Sequence, residues 1–264
     1  MDFMKIKMVR TGRFELPWVS PPPPQDGAST SFATSAMQRV AETGYKGFNR
    51  FMQVKSDFIP IERWAGLTPY PEAVRLMEAA VADVLAGGTE RIFICEHPPV
   101  FTVGSSGDTK TDILDAGDIP VVETGRGGKI TAHGPGQLVV YPILDLSRRG
   151  KDLRAYVRTL QESVLEVLAD FGIDGRLTDD VGVWVGDDAS SQKIAAVGVR
   201  VRRWVSYHGF ALNVTNDLDV YKRIIPCGLA DKGVTRMADF SNVSVGDVEA
   251  VLRRVLSQTF SLES

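Results

Sequence analysis

The sequence predicts one α/β (α+β) domain, a mixed β-sheet flanked by helices, with an extension ahead of it. Three observations predict this. Short apolar segments of strand length are interleaved with stretches whose apolar residues recur at helical spacing. Some of the strands follow one another closely enough to pair as hairpins, which implies antiparallel neighbours in the same sheet. The start of the chain shows neither period.

Residues 1–56 carry the run Pro21 to Pro24 and then Gly, Ser, Thr and Ala, too little apolar surface to offset the entropy of ordering them. We read them as a disordered extension, or as residues upstream of a true start at Met52, and residues 57–264 as the folded domain. An organelle transit peptide is the rival reading, which Asp2 and Glu15 weaken. A short apolar piece runs from Phe58 to Trp64. Thr68–Pro69–Tyr70–Pro71 then signals a helix start, and Val74, Met77, Val81 and Leu85 recur until Gly87 and Gly88. Arg91 to Cys95 reads as a strand. A second helix spans Asp152 to Phe171, with Leu153, Val157, Leu160, Val164 and Leu168 on one face and Gly172 as its stop. Val181–Val185, Ile194–Val201 and Val205–Leu212 read as strands, the last two as a hairpin around Arg202–Arg203–Trp204. A final helix starts near Ser244 and shows Val248, Val251, Leu252 and Val255. No internal repeat is visible.

Composition excludes several classes of function. Of 264 residues, 44% are hydrophobic, and 30 basic against 33 acidic residues leave a net charge of −3. That balance offers no electrostatic case for a nucleic-acid partner. Two cysteines, Cys95 and Cys227, exclude a disulfide-framed scaffold, and three histidines (His97, His133, His208) without CxxC or HxxxH pairs give no structural metal site. No apolar run is long enough to span a membrane. A cytoplasmic, reducing compartment is therefore expected.

Four segments do not read as core. Glu96 to Gly104 contains His97, Pro98 and Pro99 and reads as a rigid loop after a strand, with His97 either structural or site-forming. Arg126–Gly127–Gly128–Lys129–Ile130–Thr131–Ala132–His133–Gly134–Pro135–Gly136–Gln137 leaves backbone amides uncovered beside two cations, which suits a phosphate or carbonyl ligand. Lys193 opens a strand of small residues, Ala195–Ala196–Val197–Gly198, and would stand at a sheet edge over a pocket. Cys227 lies between Pro226 and Gly228, a tight turn that presents sulfur, whereas Cys95 sits in an apolar run as a small hydrophobe. A free thiol is only a few per cent ionised at neutral pH, so a nucleophilic Cys227 needs a base. The residues alone support cysteine-dependent acyl transfer with the base left open among Lys193 and the histidines.

The segments Arg126–Gln137, Lys193-Ile-Ala-Ala-Val-Gly198, Tyr207-His-Gly-Phe-Ala-Leu-Asn-Val214, Pro226-Cys-Gly228 and His97-Pro-Pro-Val-Phe-Thr-Val-Gly104 occur in an order and spacing that resembles the lipoyl(octanoyl) transferases, across about Phe58 to Phe260. The resemblance implies the catalytic fold of the biotin and lipoate protein ligases. It implies transfer of an octanoyl group from octanoyl-acyl carrier protein to a lysine of lipoyl domains, in 2-oxoacid dehydrogenase complexes and the glycine cleavage H protein, with no cofactor. Carried onto matching positions, Cys227 is the thioester nucleophile and Lys193 its proton shuttle. Arg126 to His133 line the acyl pocket, with Ala196, Val197 and Gly198 and with Gly209, Phe210 and Ala211 as backbone walls. Ala132 departs from the family, which has a larger residue before the histidine, so a more open pocket is expected there. Arg148, Arg149, Arg202 and Arg203 are expected contacts for the acidic carrier protein. The rivals are an ATP-dependent ligase of the same fold, a Cys/His hydrolase using His133 or His208, and a non-catalytic acyl-binding module.

Overall fold

A computed structural model describes residues 59–187, 190–225 and 233–260. The extension 1–56, Cys227 and its turn lie outside the described residues. Among the described residues, ten strands and three α-helices follow in the order β1 (Ile61–Leu67), α1 (Tyr70–Leu85), β2 (Arg91–Glu96), β3 (Val100–Val103), β4 (Val121–Glu123), β5 (Ile130–His133), β6 (Gln137–Ile143), α2 (Leu153–Asp170), β7 (Gly175–Arg176), β8 (Val183–Val185), β9 (Gln192–Arg202), β10 (Val205–Asn213) and α3 (Val245–Phe260). Seven of the strands form one sheet in the order β1-β2-β6-β10-β9-β8-β7, and β4-β3-β5 form a second. Both are mixed: β1–β2 and β3–β4 are parallel, and the other pairs antiparallel.

The two-residue side-chain period of the central strands sorts the core into two layers. Ile92, Ile94, Leu138, Val140, Phe210 and Leu212 face α2 and α3, meeting Tyr156, Leu160 and Val164 from one and Val248, Leu252 and Leu256 from the other. Phe93, Cys95, Val139, Tyr141 and Ala211 face the opposite way and are covered by Ala73, Met77, Val81 and Val84 of α1. The large sheet is thus covered by helices on both faces. Among the described residues, no helix is long and apolar enough to cross a membrane.

Several expectations need correction. The segment after His97 is no loop, because Val100–Val103 pairs on both sides as the middle strand of the second sheet. On α2, Leu153 is 43% exposed and Tyr156, three residues on, takes the inward place in the first turn. The strand expected from Val181 begins only at Val183, and Val181 is exposed. Lys193 is not at a sheet edge: β9 lies between β10 and β8. The hairpin reading holds, with Arg202 opposite Val205 and only Arg203 and Trp204 in the turn.

Candidate active site

The two sheets meet around a cleft of about 230 Å³. The loop before β5 brings Arg126, Gly128 and Lys129 to it, and β5 itself Ile130, Thr131 and His133. β6 adds Val139 and Tyr141; β9 adds Lys193, Ala196, Val197 and Gly198; β10 adds His208, Gly209, Phe210 and Ala211. Tyr70, at the start of α1, and Asp180 with Val181, before β8, complete the wall. Chain segments distant in sequence therefore converge because β6, β10 and β9 are adjacent in one sheet.

Two expected members stand elsewhere. Ala132 is not part of the cleft wall and packs with Phe101, Val103, Ile130 and Ile224 in the core of the small sheet. Its small size therefore opens no space in the cleft; it borders a second cavity beside Pro99, Pro135 and Asn216 instead. Gly127 is absent from the wall and serves the frame, its N–H donating to Val199 O at 2.9 Å and its carbonyl accepting from Arg126 Nη1 at 3.0 Å. Glycine is required at two wall positions by close approach. A Cβ on Gly209 would stand 2.2 Å from Val140 O, and one on Gly198 2.9 Å from Gly127 O. Tyr70, Val139, Tyr141, Asp180 and Val181 went unread in the sequence, where they look like ordinary helix-start, strand and turn residues.

Lys193 is buried where β9 enters the sheet. Its Nζ donates to Val181 O at 3.1 Å and lies 4.6 Å from the centre of the Trp184 ring. The turn carrying that carbonyl is pinned by Gln161 Nε2, which donates to Gly182 O at 2.8 Å, and by Trp184 Nε1, which donates to Asp180 O at 3.1 Å. The backbone of Lys193 holds another strand-like piece: its N–H donates to Gly233 O at 2.9 Å, and Thr235 N donates back to its carbonyl at 3.0 Å.

The buried guanidinium of Arg126 donates to Thr102 O at 2.6 Å and to Thr102 Oγ1 at 2.8 Å. Thr102 Oγ1 is 3.3 Å from His133 Nε2, and His133 Nδ1 is 2.7 Å from Gln137 Oε1. Gln137 Nε2 donates to Asn213 Oδ1 at 2.9 Å, which assigns Oε1 to the histidine and places the imidazole proton on Nδ1. His97 is engaged likewise: Nδ1 donates to Thr68 O at 2.6 Å and Nε2 accepts from Tyr141 Oη at 2.7 Å. His97 is therefore a structural histidine, outside the cleft wall.

Burial controls the charge state throughout. Desolvation holds His97 below its usual pKa, pushes His133 well below it, and brings His208 down to about 3, with the Arg126 charge adding to the last two. Burial likewise raises the Tyr70 phenol to about 12 and Tyr141 well above the usual value. The cleft thus offers neutral imidazoles and protonated phenols beside the Arg126 guanidinium. The Cys95 thiol, also pushed up by burial, stays a protonated apolar side chain. Among the described residues no cluster of His, Cys, Asp or Glu is placed to hold a metal ion. Of the arginines expected to dock a carrier protein, Arg149 is buried in an ion pair with Glu90 and unavailable; Arg148, Arg202 and Arg203 are exposed.

Residues 69–258 match the family model of the lipoyl protein ligase A/B catalytic domain. An octanoyltransferase of Brucella melitensis biotype 1 is 43% identical over 230 residues, covering 81% of this chain and 86% of its own. The octanoyltransferases of Nitrobacter hamburgensis and Paracoccus denitrificans are 48% and 45% identical, over 73% and 74% of this chain and 83% and 94% of theirs. Among solved structures, a lipoate-protein ligase A bound with ATP superposes with a TM-score of 0.61 at 20% identity, covering 78% of this chain and 87% of its own. A bipartite lipoate protein ligase of Thermoplasma acidophilum gives 0.60 at 18%, covering 79% and 85%.

Proposed function

The chain belongs to the lipoyl protein ligase A/B catalytic domain family, and from that premise we propose a cysteine-thioester route for its acyl transfer. It is an acyltransferase that moves an octanoyl group in protein lipoylation, with lipoyl domains as the substrates modified. In our reading octanoyl-acyl carrier protein is the donor. Cys227 takes the acyl group as a thioester, and a lysine of the acceptor receives it, the glycine cleavage H protein and the 2-oxoacid dehydrogenase lipoyl domains included.

The observation that carries this reading is the placing of Lys193 in the wall of a cleft whose other walls are the close-packed Gly198 and Gly209. The glycines leave a slot for the acyl chain, each buried methylene contributing about 0.8 kcal/mol. Lys193 also holds the backbone at Gly233, a few residues on from Cys227, while on the near side Ile225 N donates to Asp112 O at 2.8 Å. That anchoring supports delivery of Cys227 to Lys193. The amine then takes the thiol proton and returns it to the departing carrier thiol, a step exchanging one thioester for another and needing no nucleotide. Residues 57–264 form the catalytic unit in this reading, 1–56 stand outside it, and the working compartment is the cytoplasm.

The test is incubation of the pure protein with octanoyl-acyl carrier protein, read by intact mass. An octanoyl adduct that maps to Cys227 and is lost in Cys227→Ala is expected, with Lys193→Ala loading at least about 100-fold more slowly. An adduct on Cys95, or ATP-dependent ligation that survives Cys227→Ala, overturns the thioester route.

A further inference from the structure

The second cavity, beside β5, also measures about 230 Å³, and the acyl-transfer reading does not use it. Of its lining only His133 is shared with the acyl cleft, so that imidazole borders both spaces. The walls are mainly apolar, formed by Pro99, Ala132, Pro135 and Val220.

The polar side chains of this lining differ in what they have left to offer. His133 has both ring nitrogens engaged, as described above. Tyr221 Oη donates to Ala132 O at 3.0 Å and accepts from Gln137 Nε2 at 3.2 Å. Asn216, only 3% exposed, donates from Nδ2 to Asn213 Oδ1 at 3.1 Å. Its Oδ1 has no hydrogen-bond partner among the described residues. A neighbour fixes the orientation of that amide. Asn213 Nδ2 donates to Thr235 O at 2.9 Å, so Asn213 Oδ1 faces Gln137 and Asn216 and can only accept. Turning the Asn216 amide over would set two oxygens together. An unpaired buried acceptor is costly, and a ligand that brings a donor recovers that cost.

The lining also says what such a ligand must carry. Beside Asn216 stands Asp217, an exposed residue whose Oδ1 accepts from Asp219 N at 2.9 Å and whose carboxylate brings negative charge to the cavity. The open side-chain acceptors are thus an amide oxygen and a carboxylate, while Pro99 and Pro135 have no N–H to give. Arg236, which donates to Asn216 O at 2.9 Å, is already paired with Asp239 Oδ1 at 3.0 Å. Acceptors framed by apolar walls fit a positive head on an alkyl stem. A compact ammonium suits one buried acceptor and one carboxylate, where the five donors of a guanidinium fork would go unmatched.

We propose that this cavity binds a primary alkylammonium group, its nitrogen donating to Asn216 Oδ1 and Asp217 and its stem packed against Pro99, Pro135 and Val220. Every residue the proposal uses is described, and it holds whether or not acyl transfer passes through Cys227. A lysine side chain of another protein and a free alkylamine share this chemistry.

The test is titration of the ¹⁵N-labelled full-length chain with n-butylammonium chloride, followed through the Asn216 side-chain amide and the Gly134 backbone amide. Saturable binding with a Kd on the order of 1 mM is expected, which n-butanol, of the same length without the charge, does not reproduce. Asn216→Ala, checked for an unchanged Tm, is expected to weaken it at least about tenfold. Asp217→Asn, at an exposed position that leaves the fold intact, is expected to weaken it about threefold. The peptide acetyl-Gly-Lys-Gly-amide separates the two sources. If it moves the same signals, the site takes a protein's lysine; if only n-butylammonium does, it takes a free amine. Binding of n-butanol as tight as that of n-butylammonium, affinity unchanged in Asp217→Asn and in folded Asn216→Ala, or no saturation at all overturns the proposal.

Discussion

At Gly209 the central sheet leaves no room for a side chain. The nearest atoms to a Cβ there are Val140 O at 2.2 Å and the Pro142 ring at 2.8 Å, and neither is the mobile end of a long side chain. Gly209→Ala must therefore push β10 away from β6, at a cost of about 3 kcal/mol, the upper part of the overpacking range. Its urea midpoint should fall accordingly, and acyl loading should fall with it, since the same residue walls the cleft. A variant as stable as wild type would show that the sheet yields here. Arg149 illustrates the opposite kind of residue, unreadable alone. Its guanidinium bonds Glu90 through both Nη atoms and also reaches Asp145 O. Nothing local marks an Arg-Arg pair as half buried; the partner that permits the burial lies far back in the sequence.

Among the elements, the β9–β10 hairpin joins two cleft walls through a turn its sequence does not favour. Arg203 and Trp204 both take positive φ, +52° and +69°, where a two-residue hairpin prefers Asn-Gly. The turn forms because the long, uninterrupted register from Val205–Arg202 to Leu212–Ala195 imposes it. Replacing Arg203→Asn with Trp204→Gly relieves the strain at both positions and should add about 1 kcal/mol, or about 3 °C in Tm, by calorimetry. Loading from a small octanoyl thioester, which needs no carrier contact at Arg203, should hold, because the turn lies outside the cleft wall. A lower Tm would mean that the packing of Trp204 outweighs its backbone strain. The same hairpin was legible in the sequence, since two apolar β-rich runs separated by a short polar break admit little else. The small sheet was not. Prolines and glycine around Val100–Val103 read as loop, and with that strand unrecognised the small-sheet core that takes up Ala132 could not be seen. Lys193 and His133 were legible as candidates for a cleft wall because a lysine or histidine inside an apolar strand is rarely plain packing. Tyr70 and Tyr141 were not, since a tyrosine in an apolar pattern is indistinguishable from packing until the strands are set side by side.

For the molecule as a whole, enclosing three histidines between two sheets and a helix makes folding depend on pH. Each is held neutral by burial, and His133 is further depressed by the nearby His97 and Arg126. All three have folded pKa values below the usual 6.5. The unfolded chain therefore takes up protons first as pH falls. The stabilisation is complete above about pH 6.5 and is lost as pH drops towards the folded value of about 3 for His208. Each histidine contributes up to about 1.4 kcal/mol per pH unit between its unfolded and its folded pKa, so the three together give at most about 4 kcal/mol per unit. Against a typical stability of about 5–15 kcal/mol, that loss is enough for the domain to begin unfolding below about pH 5. Urea midpoints measured from about pH 7.5 to 4.5 should fall steeply below 6.5. His208→Asn, which cannot titrate, should remove about a third of that slope while leaving stability at neutral pH near wild type. A flat profile down to about pH 4.5 would mean that protons reach the imidazoles in the folded state, and the neutral tautomers on which the cleft's polarity depends would have to be abandoned.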